Sequence, residues 1–135
     1  MNSQKFMLLI VVLLLPVVAS AQSDGSESVF RSQLIELHSK AIIVLNRVEP
    51  SAPRGSYRQQ VQEEIFALVR LNHRLEEEAM ATKIQSKTLL LVGQASKAVD
   101  GLLSALSSYI ESEDRAFLGF AKDNNALVWA IRRVM

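Results

Sequence analysis

Residues 89–110, LLLVGQASKAVDGLLSALSSYI, restrict the folds open to this chain more than any other stretch. Only Lys97 and Asp100 are ionised there. Leu91, Val92, Ala95, Val99, Leu102, Leu103, Leu106 and Ile110 recur at three- and four-residue spacing, in a stripe wider than a two-helix seam needs. Between them lie Gly93, Ser96, Ala98, Gly101, Ser104, Ala105 and Ser107, small enough to admit neighbouring helices on more than one side. A surface helix would carry more charge, and a membrane span less. The stretch reads as the central helix of a small bundle, and the rest of the chain must supply its cover.

The flanking segments have the required pattern. Phe30, Leu34, Leu37, Ala41, Val44 and Val48 alternate four and three apart, and Ile35, Ile42 and Leu45 widen that seam. Asp24 with Glu27 has capping-box spacing, with Ser26 or Ser28 as the other candidate starts. Pro50, Pro53 and Gly55 stop this first helix. Ser56 with Gln59 is expected to cap the second, which buries Val61, Ile65, Leu68, Leu75 and Ala79. Asn72 falls on that seam, where a buried amide would hold register and an outward one would meet water. Periodicity weakens over 81–86, the expected break before the central helix. Ser112, followed by Glu113 and Asp114, is the expected cap of a fourth helix. Phe117, Ala121, Val128, Ile131 and Met135 form its seam, with Phe120, Leu127 and Val134 beside it. Asp123, Asn124 and Asn125 are placed to kink or split it. No segment alternates as a strand does. The expected fold is all-α, a small up-down-up-down four-helix bundle following a cleaved signal peptide.

That signal occupies residues 1–21. Lys5 and the terminal amine precede an apolar core over 6–18, and Ala19 and Ala21 flank Ser20 at a small-residue cleavage site. A core of 13 residues is short against the ~20 that span a bilayer, so no stable membrane anchor is expected after cleavage. Lipid attachment would need a cysteine, and the chain has none. Cleavage after Ala21 takes 21 of the 135 residues and leaves 114, divided into a flexible polar lead over 22–28 and one helical domain over 29–135. Lys5 departs with the signal, so 14 basic and 14 acidic residues remain and the net charge is zero. The main electrostatic reason to expect nucleic acid or an anionic membrane as partner goes with it. An exported domain without disulfides must hold together by core packing alone, which favours the bacterial periplasm over eukaryotic secretion.

Residues suited to chemistry are sparse. His38 lies beside Leu34, Ala41 and Leu45, and His73 beside Phe66 and Val69. Counted from a hairpin turn near Ala52, the two stand roughly 10 Å apart along the bundle axis, too far for a shared metal or a bis-histidine haem. The Glu-x-x-His motif of di-iron bundles is absent, because Ile35 and Arg70 occupy the required positions. His73 and Glu77 offer at most a weak surface metal site, and a solvated ion pair is the simpler reading. Covalent haem needs Cys-x-x-Cys-His. A Met/His haem would have to use Met80 or Met135, and neither is set opposite a histidine. Ser-x-x-Lys and Gly-x-Ser-x-Gly are absent, and the carboxylates at 63–64 and 76–78 lie on a charged face, without the apolar surroundings of a general acid. No catalytic, cofactor or metal residues are assigned, and the chain reads as a non-enzyme without a cofactor.

Surface candidates remain. Trp129 with Arg132 and Arg133 combines residue types enriched at interface hot spots, at a spacing that lays a guanidinium over the indole. Its plainer reading is a tryptophan that plugs the bundle end. Tyr57 with Arg58 and Arg54, beside the proline-rich turn, is a second candidate. The expected function is that of a periplasmic or secreted protein-binding bundle: an adaptor, inhibitor, immunity-type or chaperone-like protein whose partner is another protein or a second copy in a homodimer. The alternative is a carrier that opens between its helices to hold a lipid or haem. Export makes one direct prediction. When the full sequence is expressed in a secreting host, intact mass of the product should place its first residue at Gln22; a product retaining residues 1–21 would contradict the signal reading.

Overall fold

The computed structural model describes residues 15–82 and 86–135, with side chains from Glu27 onward. The larger part of the expected signal, residues 1–14, and the centre of the expected break, residues 83–85, lie outside them. The described residues form four helices and no strand: α1 (Leu15–Val48), α2 (Gly55–Ala81), α3 (Lys87–Ser112) and α4 (Arg115–Val134). The all-α four-helix architecture is as expected.

Several ends differ from the sequence reading. α1 begins at Leu15, ahead of every cap candidate, and runs through 22–28. Gly25 lies within it and weakens a helix by only about 1 kcal/mol. α2 has no side-chain cap; the chain turns on Gly55, whose φ of +63° is open to glycine, and Ser56 already lies inside the helix. Ser86 caps α3 by accepting from the Leu89 N–H at 3.0 Å. Ser112 closes α3 instead of opening α4: its hydroxyl donates to Ser108 O and accepts from the Asp114 N–H. Glu113 takes the left-handed conformation between the helices, and Asp114 is the cap of α4, accepting from the Ala116 N–H at 3.0 Å. α4 is unbroken at 123–125 because the amides there bond elsewhere. Asn124 donates to Phe120 O within its own helix, and Asn125 reaches α1.

α3 is the hub and packs against each of the other three helices. Leu102, Leu103, Leu106 and Ile110 are wholly buried. By length and composition α3 would also pass for a membrane span, with a mean hydropathy of 1.3, but 56 % of that window is buried inside the bundle. A core helix has the same composition. α1 and α2 complete a triangle with α3, while α4 lies chiefly along α3 and touches α1 more sparsely. Gly101 lets α4 approach closely, since a Cβ there would lie 2.6 Å from Asn124 Oδ1. Arg47–Glu64 and Arg115–Tyr109 join consecutive helices near their shared turns, and Gln62–Ser107 joins the start of α2 to the end of α3, so chain direction alternates through the bundle.

Two reciprocal amide–serine clips hold α2 on α3. Asn72 donates to Ser96 O and accepts from Ser96 Oγ, both at 2.9 Å and both residues wholly buried. Gln62 donates to Ser107 O at 3.1 Å and accepts from Ser107 Oγ at 2.8 Å. The amides are ten residues apart on α2, about 15 Å along the axis, and the serines eleven apart on α3. Sliding one helix by a turn breaks both clips and leaves buried polar groups unpaired, at about 1–3 kcal/mol each. Asn72 is therefore the register device on the seam. Asn72→Ala should lower the unfolding free energy by about 1–3 kcal/mol in urea titrations. Asn72→Ala with Ser96→Ala should cost less than the two single losses added together, and strict additivity would show that the pair does not act as one unit.

Candidate functional site

The most organised polar group in the molecule lies where α4 meets α1. Asn125, Trp129 and Arg132 are spaced four and three apart, so they share one face of α4. All three converge on His38 of α1, which is wholly buried. His38 Nε2 is 2.6 Å from Asn125 Oδ1, and His38 Nδ1 is 2.9 Å from an Arg132 guanidinium nitrogen. A guanidinium only donates, so Nδ1 accepts and the proton sits on Nε2, which donates to Asn125. The imidazole meets the Trp129 ring edge-on at 5.1 Å, and Arg132 lies over the same indole, 4.2 Å from its centroid.

Burial holds the His38 pKa below 6.5, opposed by the Asn125 hydrogen bond and reinforced by the charge of Arg132. Partial burial also lowers that of Arg132. A protonated His38 would turn an N–H toward a group that can only donate. The cluster is thus built around a neutral, buried imidazole, with no carboxylate among its hydrogen-bond partners. Such an arrangement seats α4 on α1. Further contacts pin the two ends of α4 to α1: Lys122 pairs with Glu49, Arg115 reaches Glu49 O at 3.4 Å, and Arg31 reaches Met135 O at 3.4 Å.

The sequence candidates separate in space. Trp129 and Arg132 come together as their spacing suggested, but Arg132 is drawn inward by His38, while Trp129 keeps 40 % of its surface exposed. Arg133 is exposed. Tyr57 and Arg58 belong to the opposite end of the bundle. Glu64 raises the pKa of Arg47, with a further contribution from Tyr57, and Arg58 is half-buried in the first turn of α2. Trp129 lies fourteen residues along α4 from Arg115, about 21 Å from that turn, so the two groups do not form one patch. His38, beside Leu34, Ala41 and Leu45 in the sequence pattern, is fully inside. His73 is exposed and pairs with Asp100 of α3 at 3.3 Å. Among the described residues no cluster of three or more histidine, aspartate or glutamate side chains is arranged to hold a metal. Asn125 escaped notice because its role depends on α1; its spacing to Trp129 and Arg132 was the available signal.

Beside this cluster α4 turns a second face to solvent. Phe120, Leu127 and Val134, seven residues apart, are 55 %, 51 % and 60 % exposed. Ala116, Gly119, Ala126 and Ala130 lie exposed among them. Asp123 lies on that face and Arg133 at its edge, and neither forms an ion pair among the described residues. Comparison with family models, with curated proteins and with solved structures finds no match to this chain.

The buried imidazole makes stability depend on pH. Near pH 6.5 the unfolded chain begins to protonate His38 while the folded chain still refuses the proton. Stability from this residue is thus complete above 6.5 and declines as pH falls toward the lowered folded pKa, by at most about 1.4 kcal/mol per unit. Urea titrations between pH 8 and about 5 should show this decline, and His38→Gln, although less stable throughout, should lack it. Parallel profiles for the two proteins would show that His38 titrates normally in the folded state.

Proposed function

We propose that this protein is an exported, non-enzymatic protein-interaction bundle working in the periplasm or outside the cell as an adaptor, inhibitor, immunity-type or chaperone-like protein. The outer face of α4 carries this reading. A helix in a closed bundle directs its apolar residues inward, yet α4 exposes Phe120, Leu127 and Val134 in one stripe, with Arg133 at its edge. A contiguous apolar surface held by a rigid scaffold is what a protein-binding site requires. The scaffold is supplied by the His38 cluster and by the Glu49 and Arg31 contacts, which keep α4 fixed on α1. The signal-like residues 1–21 and the zero net charge of the remainder support export and disfavour nucleic acid.

The carrier alternative has less behind it. The small residues of α3 that would leave room for a ligand are in use: Ala95 and Ala98 are buried in packing, Ser96 is clipped to Asn72, and Gly101 lies beneath Asn124. An open groove of about 350 Å³ lies between the end of α2 and the start of α3, lined by Met80, Leu89, Leu90 and Gly93.

Affinity capture of the purified product from its native envelope or secretion fraction tests the proposal, with proteins and small molecules both identified by mass spectrometry. The expected outcome is a stoichiometric protein, either a different chain or a second copy of this one, that is lost with Leu127→Glu. A bound lipid or cofactor without a protein would transfer the assignment to the carrier.

A further inference from the structure

We infer that the outer face of α4 pairs with the same face of a second copy of this chain, antiparallel and about a two-fold axis passing near Leu127. This rests on the protein-interaction reading above and names its partner. The first observation is positional symmetry. Phe120 lies seven residues before Leu127 and Val134 seven after it. An antiparallel pair centred there sets Leu127 against Leu127, and Phe120 level with Val134 of the partner subunit, twice. Phe120 is also held in place by an edge-to-face contact with Phe117 at 6.1 Å. Ala130, beside Leu127 on this face, lets the two helices approach closely.

The second observation is charge. Asp123 lies within the stripe, Arg133 at its border, and neither has an ionic partner among the described residues. Within one chain they stand ten residues apart, about 15 Å, beyond reach of each other. In the antiparallel pair Asp123 is four residues before the axis and Arg133 six after it, so each Asp123 comes within about 3 Å, along the axis, of the partner's Arg133. The interface satisfies both charges twice over, as an isologous contact must. A parallel pair would set Asp123 beside Asp123 and Arg133 beside Arg133. A lipid surface would take up the apolar residues but strand the Asp123 carboxylate. The charge pattern thus selects a second copy, and selects its direction.

A single pair of 20-residue helices, about 30 Å long, lies at the low end of specific interfaces, so the dimer should dissociate on dilution through the micromolar range. The test uses the product of the full sequence, by sedimentation equilibrium from about 1 to about 100 μM, a span set to bracket that range. Dimer at the upper end and monomer at the lower is expected. Leu127→Glu should be monomeric throughout with an unchanged circular dichroism spectrum. Asp123→Arg and Arg133→Asp should each weaken the dimer at least about tenfold, and the double exchange should restore it. The chain lacks cysteine, so single-cysteine probes are clean. Leu127→Cys should form a disulfide-linked dimer on mild oxidation, and Asp123→Cys, about 12 Å from its symmetry mate along the axis, should not. A wild-type monomer at about 100 μM, or a dimer indifferent to Leu127→Glu and to the charge exchange, would overturn the inference. If that monomer still captures a different protein through α4, the interaction reading stands while the self-pairing fails; if it captures none, both fail.

Discussion

Everything in this bundle depends on covering α3. Its side chains are apolar over most of their circumference, so three helices are needed to keep it from water. Hydrophobic burial has little directional preference, and a helix as leucine-rich as this one would bury comparable area after a slide of one turn. Direction comes from polar groups placed inside the apolar contact. Asn72–Ser96 and Gln62–Ser107 each close two hydrogen bonds at one level of the α2–α3 seam, and no neighbouring register closes both. Burial thus drives association while the buried amides select its alignment.

α4 is held differently. It leans on α3 along its length but meets α1 only in places, and those places are polar: Glu49 at one end, Met135 O with Arg31 at the other, and the His38 cluster between. A neutral imidazole that donates to Asn125 and accepts from Arg132 is satisfied at both nitrogens, which makes it tolerable at full burial. Because contact with α1 is limited to one side, the opposite side of α4 carries a stripe that the bundle leaves uncovered. The rigidity of α4 and the exposure of its apolar residues have one cause, its position on the flank of a three-helix core.

Much of this was legible beforehand. Four helices, the central place of 89–110 and the seam residues of α2 follow from spacing alone, because burial imposes a period of 3.6 on any helix with one dry face. Local polar signals were less secure. Ser112 and Asp114 are equally good caps by type, and the left-handed Glu113 between them decides for Asp114. Ser56 has the right spacing for a cap, yet Gly55 makes the turn first. Asp123, Asn124 and Asn125 carry the composition of a break; with Asn124 bonded to Phe120 O and Asn125 to His38, they do not compete with the helix.

By itself the sequence determined the class of fold, the identity of the core helix, the lack of disulfide support and the absence of recognisable catalytic motifs. These depend on composition and on periodicity along one chain, which neighbours in space do not alter. Tertiary structure decided what each polar residue does. Whether Asn72 faces α3 or water, whether His38 lies at the edge or inside, and whether Arg132 covers only Trp129 or also reaches an imidazole are questions about which helix stands opposite. A hydrogen bond needs a partner at about 3 Å, and for His38 and Arg132 that partner is 94 residues away in sequence.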